Sequence, residues 1–431
     1  MRKIKNHFKN THPITFNFFS NSTLLILSSL GVNIANYLFH LGSARLLSVN
    51  NFGILQTMVH LISMLTAVTV VIRLQLTKEL IKLFNSNNSN SAKHLIKKTE
   101  ASIIKVGILF AVLFGVAFNI LKLSFGKLNI VHLNIVIFIA VLTFLLVTHR
   151  SYLKATLDFK KLAINTNFQA LSRLLITIPL IYFGLKLNGA LLGITVSYLL
   201  TLFLIYKQTD IKNVFNTRDK LAIKFNIVSK DSALTMLGFL GLTSLVSTDL
   251  LLVQNYLPNH AGFYAALMLF GKIIIFSTTP ISSVLFPSIV NSTKQKSKKI
   301  FLLSILVTTY FGVVILTLYH LFPNLIISTL LSDTYVIISP YLFKYSLFIF
   351  LYSFVYIFVN GFIALDDYRP AVLTFSIAFL QFVGILIFHN NIMQIISVSL
   401  YLTLLLSVII FIYFIKYYYG KECSSFKVRA N

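Results

Sequence analysis

Residues 131–150 read VHLNIVIFIAVLTFLLVTHR, and apart from histidine the only ionisable residue in this run is Arg150 at its end. An α-helix rises about 1.5 Å per residue, so about 20 residues cross the roughly 30 Å hydrocarbon core of a bilayer. A helix on the surface of a soluble domain needs a polar face, which this run lacks. The run therefore predicts a membrane-spanning helix.

Apolar runs of similar length continue in both directions along the chain. The fifth and sixth are joined only by Leu187 and Asn188, which predicts a tight hairpin. We therefore expect an all-α membrane protein with about twelve transmembrane helices, each long enough to cross a bilayer. The predicted spans lie at residues 15–41, 52–76, 101–122, 131–152, 163–186, 189–207, 231–254, 263–290, 300–320, 341–363, 370–389 and 394–416.

The composition excludes a soluble globular domain. Hydrophobic residues make up 57% of the chain and charged residues 11%, where a soluble chain carries about 25% charged residues. The sole cysteine, Cys423, excludes a disulfide within the chain. The basic start MRKIKNHFKN precedes an apolar run too long for a signal-peptide core, so we expect a retained first span.

The positive charge is concentrated between the spans. The formal net charge is +26. With the N-terminus in the cytoplasm, cytoplasmic segments carry 27 of the 37 Lys and Arg residues, and outer segments carry 4. Basic residues favour the cytoplasmic side, so we expect a multi-pass protein of the cell membrane with both termini in the cytoplasm. This placement indicates membrane lipids, and not nucleic acid, as the partner of the charge.

Two lobes are expected. The longest polar linkers, at about 77–100 and 208–230, are cytoplasmic, and the second divides the chain near its midpoint. We expect an N-terminal lobe with six helices at residues 1–210 and a cytoplasmic linker at 211–230. A second six-helix lobe follows at 231–431 and ends in a basic cytoplasmic tail. The outer loops are too short for a catalytic domain.

Two basic residues lie near the middle of predicted spans. Arg173 and Lys272 are each about ten residues into a span, where a charge costs about 2.5–3.5 kcal/mol. Such a cost is tolerated when the side chain faces a polar cavity or a charged partner, so either a binding cavity or a buried ion pair is expected. Arg73 and Arg150 lie near cytoplasmic ends, from which long side chains reach the interface.

Asp249 is the one acidic residue well inside a predicted span. Its best partner in the sequence is Lys272, one helix further along the chain. The pair is open to three interpretations: a gate, a proton site or a structural contact.

The first span carries a polar face. Ser29, Asn33, Asn36 and His40 are spaced so that they share one side of a helix. Hydrogen bonding to sugar hydroxyls and hydrogen bonding between helices both explain this pattern. In the seventh span Gly238 leads a row of small residues that predicts close helix packing.

Catalytic motifs are absent from the sequence. It holds no phosphate-binding P-loop, no H-E-x-x-H zinc motif, no nucleophile elbow and no cluster of acids with metal-ligand spacing. We therefore expect no enzyme activity, no catalytic residues, no bound metal and no cofactor.

Two stretches resemble a known group of transporters. RLLSVNNFG at residues 45–53 resembles the first outer loop of lipid-linked oligosaccharide flippases. DLLLVQ at 249–254, AGFYAA at 261–266, GK at 271–272 and FP at 286–287 resemble the seventh and eighth helices of the polysaccharide-transporter branch. Both belong to the multidrug/oligosaccharidyl-lipid/polysaccharide exporter superfamily.

The resemblance implies a two-lobed helical fold around a central cationic cavity. It also implies export of undecaprenyl-diphosphate-linked repeat units for capsule, O-antigen or exopolysaccharide, with other polysaccharide-assembly proteins as further partners. Lipid II flippases of this superfamily carry arginines in the middle of the first helix, where this chain has Asn and Ser, so a different glycan is expected.

The candidate binding residues follow from these observations. Arg173 and Lys272, helped by Arg45 and Arg73, would neutralise the diphosphate. Asn33 and Asn36 would face the sugars, and Asp249 is a candidate coupling residue. Two rival functions remain: a multidrug or cation antiporter of the same superfamily, and a membrane polysaccharide polymerase.

Overall fold

A computed structural model describes residues 13–86, 88–120, 130–209, 229–290 and 292–419. Within these ranges the secondary structure is helical, without a β-strand. The predicted all-α fold is confirmed. The chain divides into two compact units, at residues 1–232 and 233–431, and each is described separately below. Residues 210–228, which hold most of the expected linker, lie outside the described residues.

The described part of the N-terminal unit is built from long helices. Its described helices are α1 (Pro13–Leu46), α2 (Val49–Thr66), α3 (Thr69–Asn85), α4 (Ser89–Ile120), α5 (Ile130–Ala155), α6 (Phe159–Leu180) and α7 (Lys186–Thr209).

The C-terminal unit repeats this construction with additional short helices. Its described α-helices are α8 (Lys230–Leu245), α9 (Thr248–Tyr256), α10 (Ala261–Val290), α11 (Lys294–Leu321), α12 (Pro323–Leu330), α13 (Ser339–Ile363), α14 (Arg369–Ile387) and α15 (Ile392–Tyr419), and a short 3₁₀ helix lies at Asp333–Ile338.

Eight described helical segments are long and apolar enough to cross a membrane, or nine if α8 and α9, which meet at a bend of 45°, form one span. One of the eight, Phe159–Thr209, has 51 residues, about twice the length that a single crossing requires. The predicted spans at 15–41 and 101–122 fall on α1 and α4, where some side chains lie outside the described residues. The chain is therefore a multi-pass membrane protein, and the count of twelve stays a prediction.

The chain reverses direction between α6 and α7. Gly184 has a φ of 90° and Lys186 a φ of 47°, left-handed conformations that interrupt a helix. A Cβ on Gly193 would lie 2.6 Å from the Cα of Thr177, so the two helices pack backbone to backbone. The predicted hairpin is confirmed, but its turn precedes Leu187 and Asn188, because Gly184 adopts positive φ without a steric cost.

Glycines bring other helix pairs into close contact. A Cβ on Gly42 would lie 2.6 Å from Cδ1 of Ile178, which shows how tightly α1 packs on α6. In the C-terminal unit a Cβ on Gly238 would lie 2.7 Å from that of Ala371 on α14. The close packing predicted for the small-residue row is confirmed.

Large apolar side chains point outward from the helices. Leu175 is 67% exposed, Phe183 79% and Leu303 64%. Soluble monomers rarely expose apolar surface on this scale, whereas lipid tails cover it without cost. Buried Phe301, Phe358 and other aromatic residues form the core of the C-terminal unit.

Candidate functional site

A row of polar side chains follows one face of α6. Asn165, Gln169 and Arg173 are four residues apart, so they lie one above the other along the helix. Asp158 caps the start of this helix by accepting a hydrogen bond of 3.2 Å from the backbone N–H of Lys161. The cap and the hairpin lie at the two ends of the helix that carries this row.

Arg173 is held by neutral groups. Its Nη2 donates a hydrogen bond to Oδ1 of Asn36 on α1. Its guanidinium carbon lies 4.7 Å from the ring centroid of Phe39, a favourable cation–π distance. Its Nε–H is buried and has no hydrogen-bond partner among the described residues. Within the described part of the chain, Arg173 is therefore positioned by neutral groups, and it retains a donor for a further acceptor.

Arg150 reaches the same face from α5. Its Nε donates to Oδ1 of Asn165 at 2.8 Å, and its Nη2 donates to Oε1 of Gln169 at 2.7 Å. Asn165 in turn donates to the carbonyl of Thr201 on α7 at 3.2 Å. This arrangement fixes the guanidinium between three helices with amide oxygens as acceptors.

Further positive charge surrounds Arg150. The charges of Arg73 on α3 and Lys154 on α5 both act on it, and they also repel each other. The phenol of Tyr198 lies close enough to Arg150 and Arg173 to interact with both charges. Arg73, Arg150 and Lys154 interact through their charges, and Arg173 lies one turn beyond Gln169 on α6. We refer to these four residues as the basic cluster. Within the described ranges, neither Arg150 nor Arg173 forms an ion pair with a carboxylate.

The polar face of α1 is divided between several neighbours. Asn36 contacts Arg173 on α6, whereas Nδ1 of His40 lies 2.8 Å from Nε2 of Gln56 on α2. His40 therefore forms a hydrogen bond between helices, which is one of the two interpretations of this polar face. Asn33 is half-buried, and among the hydrogen bonds of the described residues none involves its side chain.

Arg45 lies away from the basic cluster. It is exposed in the last turn of α1, where a positive charge stabilises the end of a helix. Nine residues separate it from Asn36, or about 13 Å along the helix axis. The structure does not bring Arg45 to Arg173.

Asp249 and Lys272 do not form the expected ion pair. The carboxylate of Asp249 is fully buried in the C-terminal unit. It accepts a hydrogen bond of 2.6 Å from the hydroxyl of Tyr264 and one of 2.9 Å from the backbone N–H of Leu250. Tyr264 lies one turn into α10 and contacts the acid directly. Lys272 lies further along the same helix and is half-buried.

Sequence reasoning undervalued Arg150. Its position near a helix end favoured an interfacial side chain, but the structure places it beside the α6 row. The signal was the spacing of Asn165, Gln169 and Arg173, a polar face that requires a partner from another helix. The N-terminal unit thus contains Arg173 with its partner Asn36, and also Arg150, whose charge interacts with that of Arg73. Lys272 and Asp249 belong to the C-terminal unit.

The family model for "Polysaccharide biosynthesis protein" matches residues 18–293, more than half of the 431 residues. A search of curated proteins gives no significant match. The inward-facing conformation of a multidrug resistance MATE family transporter of the MOP superfamily is 14% identical. The match covers 89% of this chain and 93% of the transporter, with a TM-score of 0.68.

Two further solved structures share the fold. The outward-facing conformation of a multidrug resistance MATE family transporter is 12% identical over 91% of this chain and 94% of its own, with a TM-score of 0.62. A MOP superfamily transporter from Pyrococcus furiosus, whose binding pocket is described as having reverse polarity, is 13% identical over 91% and 94%, with a TM-score of 0.63.

Proposed function

The chain belongs to the polysaccharide biosynthesis protein family and has the fold of MOP superfamily transporters, and from this premise we propose that it is a lipid-linked oligosaccharide flippase. Its substrate is an undecaprenyl-diphosphate-linked repeat unit, which it moves from the inner to the outer leaflet of the cell membrane. The family match supports the pathway, and the resemblance of residues 45–53 and 249–287 supports this branch.

The observation that carries the proposal is that, among the described residues, neither Arg150 nor Arg173 has a carboxylate as its counter-ion. Arg150 and Arg173 are held by the amide oxygens of Asn165, Gln169 and Asn36. A positive charge inside a membrane protein is costly unless it meets an opposite charge or water. An anionic ligand satisfies this requirement. The two guanidinium groups match a diphosphate in charge, and their planar N–H groups match its oxygens in shape.

The substrate explains why a protein is needed. Its lipid tail stays in the bilayer, but its sugars and phosphates lose hydrogen bonds to water if they enter hydrocarbon. The basic cluster replaces water around the diphosphate, and Asn33 offers a half-buried amide to a sugar. Alternation between inward-facing and outward-facing states, as in the related folds, carries the headgroup across.

The membrane potential provides a driving force. One charge that crosses 100 mV gains about 2.3 kcal/mol. A membrane potential that is negative inside drives an anionic headgroup outward. A diphosphate with about two charges therefore gains about 4–5 kcal/mol per 100 mV if it crosses the whole field. Export therefore proceeds without ATP, in keeping with the missing P-loop. The N- and C-termini lie in the cytoplasm, and other polysaccharide-assembly proteins receive the product outside.

The proposal is tested by replacing Arg173 and Arg150 separately with Gln, which retains hydrogen bonding but removes the charge. Each variant should insert normally, lose surface polysaccharide and accumulate lipid-linked repeat units on the cytoplasmic leaflet. Lys78→Gln is the matched control, because Lys78 is an exposed base on α3, and it should export normally. Normal polymer output from both arginine variants would rule out the diphosphate site.

A cation or multidrug antiporter is the first rival, and Asp249 is the observation that favours it. A cationic substrate requires an acceptor carboxylate, but both oxygens of Asp249 already accept hydrogen bonds from Tyr264 and Leu250. Drug sensitivity in an efflux-deficient strain separates the two functions. A polymerase, the second rival, would leave single repeat units on the outer surface when lost, whereas loss of a flippase leaves them inside.

A further inference from the structure

Three helices of the N-terminal unit meet around a buried carboxylate and imidazole that the proposed substrate site does not use. Oε1 of Glu100 on α4 lies 2.6 Å from Nε2 of His149 on α5. The same oxygen accepts a hydrogen bond of 2.6 Å from the hydroxyl of Tyr206 on α7. Nδ1 of His149 lies 3.1 Å from Oγ1 of Thr209, also on α7.

The hydrogen-bond directions determine where the protons are. The hydroxyl of Thr209 donates to the carbonyl of Ile205 at 2.9 Å, so its oxygen must accept from Nδ1–H of His149. The other ring nitrogen then faces the carboxylate of Glu100 at a distance that requires a proton between them. Glu100 and His149 therefore share one proton, whichever of the two atoms carries it.

The two side chains of the pair differ in their exposure to water. The side chain of His149 is 0% exposed and that of Glu100 is 12% exposed. A proton from water therefore meets the carboxylate first and passes from Oε1 to Nε2. Glu100 precedes the predicted span at 101–122, so this opening lies on the predicted cytoplasmic side.

Three further groups that carry charge or can titrate lie near the pair. Lys97, one turn earlier on α4, acts on the carboxylate as a positive charge. Tyr206 contributes its hydroxyl and also lies edge-on to the imidazole, with ring centroids 4.4 Å apart. Arg150 follows His149 in sequence, but its guanidinium binds Asn165 and Gln169 on α6.

We propose that Glu100 and His149 form a proton-binding site that couples proton movement to transport; this coupling rests on the proposed flippase function. With one shared proton, the pair links α4 to α5 and α7. A second proton makes the acid neutral and removes its attraction for His149. Loss of the shared proton leaves a carboxylate facing a lone pair. Both changes weaken the link, so proton occupancy controls how α4 is held.

Proton binding can be tested without transport. Infrared difference spectra of the full-length protein in lipid vesicles, taken across the ordinary titration range of carboxyl groups and upward to about pH 8, should contain a carboxyl signal that Glu100→Gln abolishes. Tyr206→Phe removes one hydrogen bond but not the shared proton, so it should shift the signal and retain it. If Glu100→Gln does not fold, His149→Gln takes its place. Identical spectra for the wild type and the folded variant would overturn the site.

Coupling is tested with polyprenyl-diphosphate-linked oligosaccharide in proteoliposomes. An imposed pH gradient should change the transport rate of the wild type, while Glu100→Gln should transport at a rate indifferent to that gradient. Wild-type transport that ignores the gradient would overturn the coupling and leave the flippase function intact. Absence of wild-type transport under every gradient would instead overturn the flippase function and the coupling with it, and the spectra would still decide whether the proton site exists.

Discussion

Arg173 on α6 donates a hydrogen bond to the amide oxygen of Asn36 on α1, so a neutral side chain holds a charge near the middle of a predicted span. An aspartate at position 36 would have nearly the same shape and would provide a counter-ion. The chain instead pairs the guanidinium with an amide and an aromatic ring, Phe39. This choice retains the positive charge for a ligand.

Asn36→Asp is therefore expected to fold well and to export poorly. The new carboxylate neutralises Arg173 before the proposed diphosphate ligand arrives, and a loss of about 1.4 kcal/mol in binding lowers the affinity about tenfold. Surface polysaccharide, normalised to the amount of protein in the membrane, measures the effect.

Ser48→Asp is the matched control for the added charge at position 36. Ser48 caps α2 by accepting a hydrogen bond from Asn51, and Asp caps helices equally well. Normal export by this variant with reduced export by Asn36→Asp supports the site. Full export by both variants would show that the free charge of Arg173 is unnecessary.

Arg150→Lys tests whether shape matters beside charge. The guanidinium contacts Asn165 through Nε and Gln169 through Nη2, and a single ammonium has no planar fork to match both. Export is expected to fall about tenfold, equivalent to about 1.4 kcal/mol, with normal insertion in the membrane. Lys160→Arg, at an exposed position, is the control, and equal activity of both variants would argue for charge alone.

Tyr264→Phe tests the buried acid of the C-terminal unit. The hydroxyl donates to Asp249 at 2.6 Å, and a hydrogen bond to a charged group contributes about 1.5–3 kcal/mol. The variant should unfold at a lower temperature in detergent than the wild type. Tyr310→Phe removes a hydroxyl from a side chain that is 65% exposed and should have no effect. Equal losses from both variants would mean that the Asp249 contact does not stabilise the fold.

The class of fold follows from the sequence because apolar length alone defines a membrane span. The hairpin before α7 and the packing of Gly238 were also predictable, since small residues and short loops act locally. The partner of Asp249 was not, because the sequence gives the charges of Lys272 and Asp249 but not the side-chain directions that favour Tyr264. Depth along a helix favoured Arg173 as a site residue, which stays a prediction. It did not favour Arg150, because the contacts of Arg150 depend on which face of α6 meets α5.

Asp158 tests how the row on α6 is anchored. It caps the helix through the N–H of Lys161 and forms an ion pair of 2.9 Å with its ammonium. Burial alone would raise the pKa of the Asp158 carboxyl, but the hydrogen bonds and charge of Lys161 lower it below its ordinary value of 3.8. A lowered pKa in the folded state means that this contribution to stability is present above the unfolded value and is lost as the pH falls through the folded one.

Asp158→Asn retains the cap at every pH but has no charge. Comparison with the wild type therefore isolates the contribution of the Asp158 charge to stability. Near neutral pH the wild type should be more stable by up to about 1 kcal/mol, the usual limit for an exposed ion pair. The difference in unfolding temperature should shrink as the pH falls below about 4, because the wild-type carboxyl becomes neutral as well. Thermal unfolding in lipid nanodiscs at several pH values measures it. A difference that stays constant down to about pH 3 would show that the charge of Asp158 does not stabilise α6, and that the cap alone positions Asn165, Gln169 and Arg173.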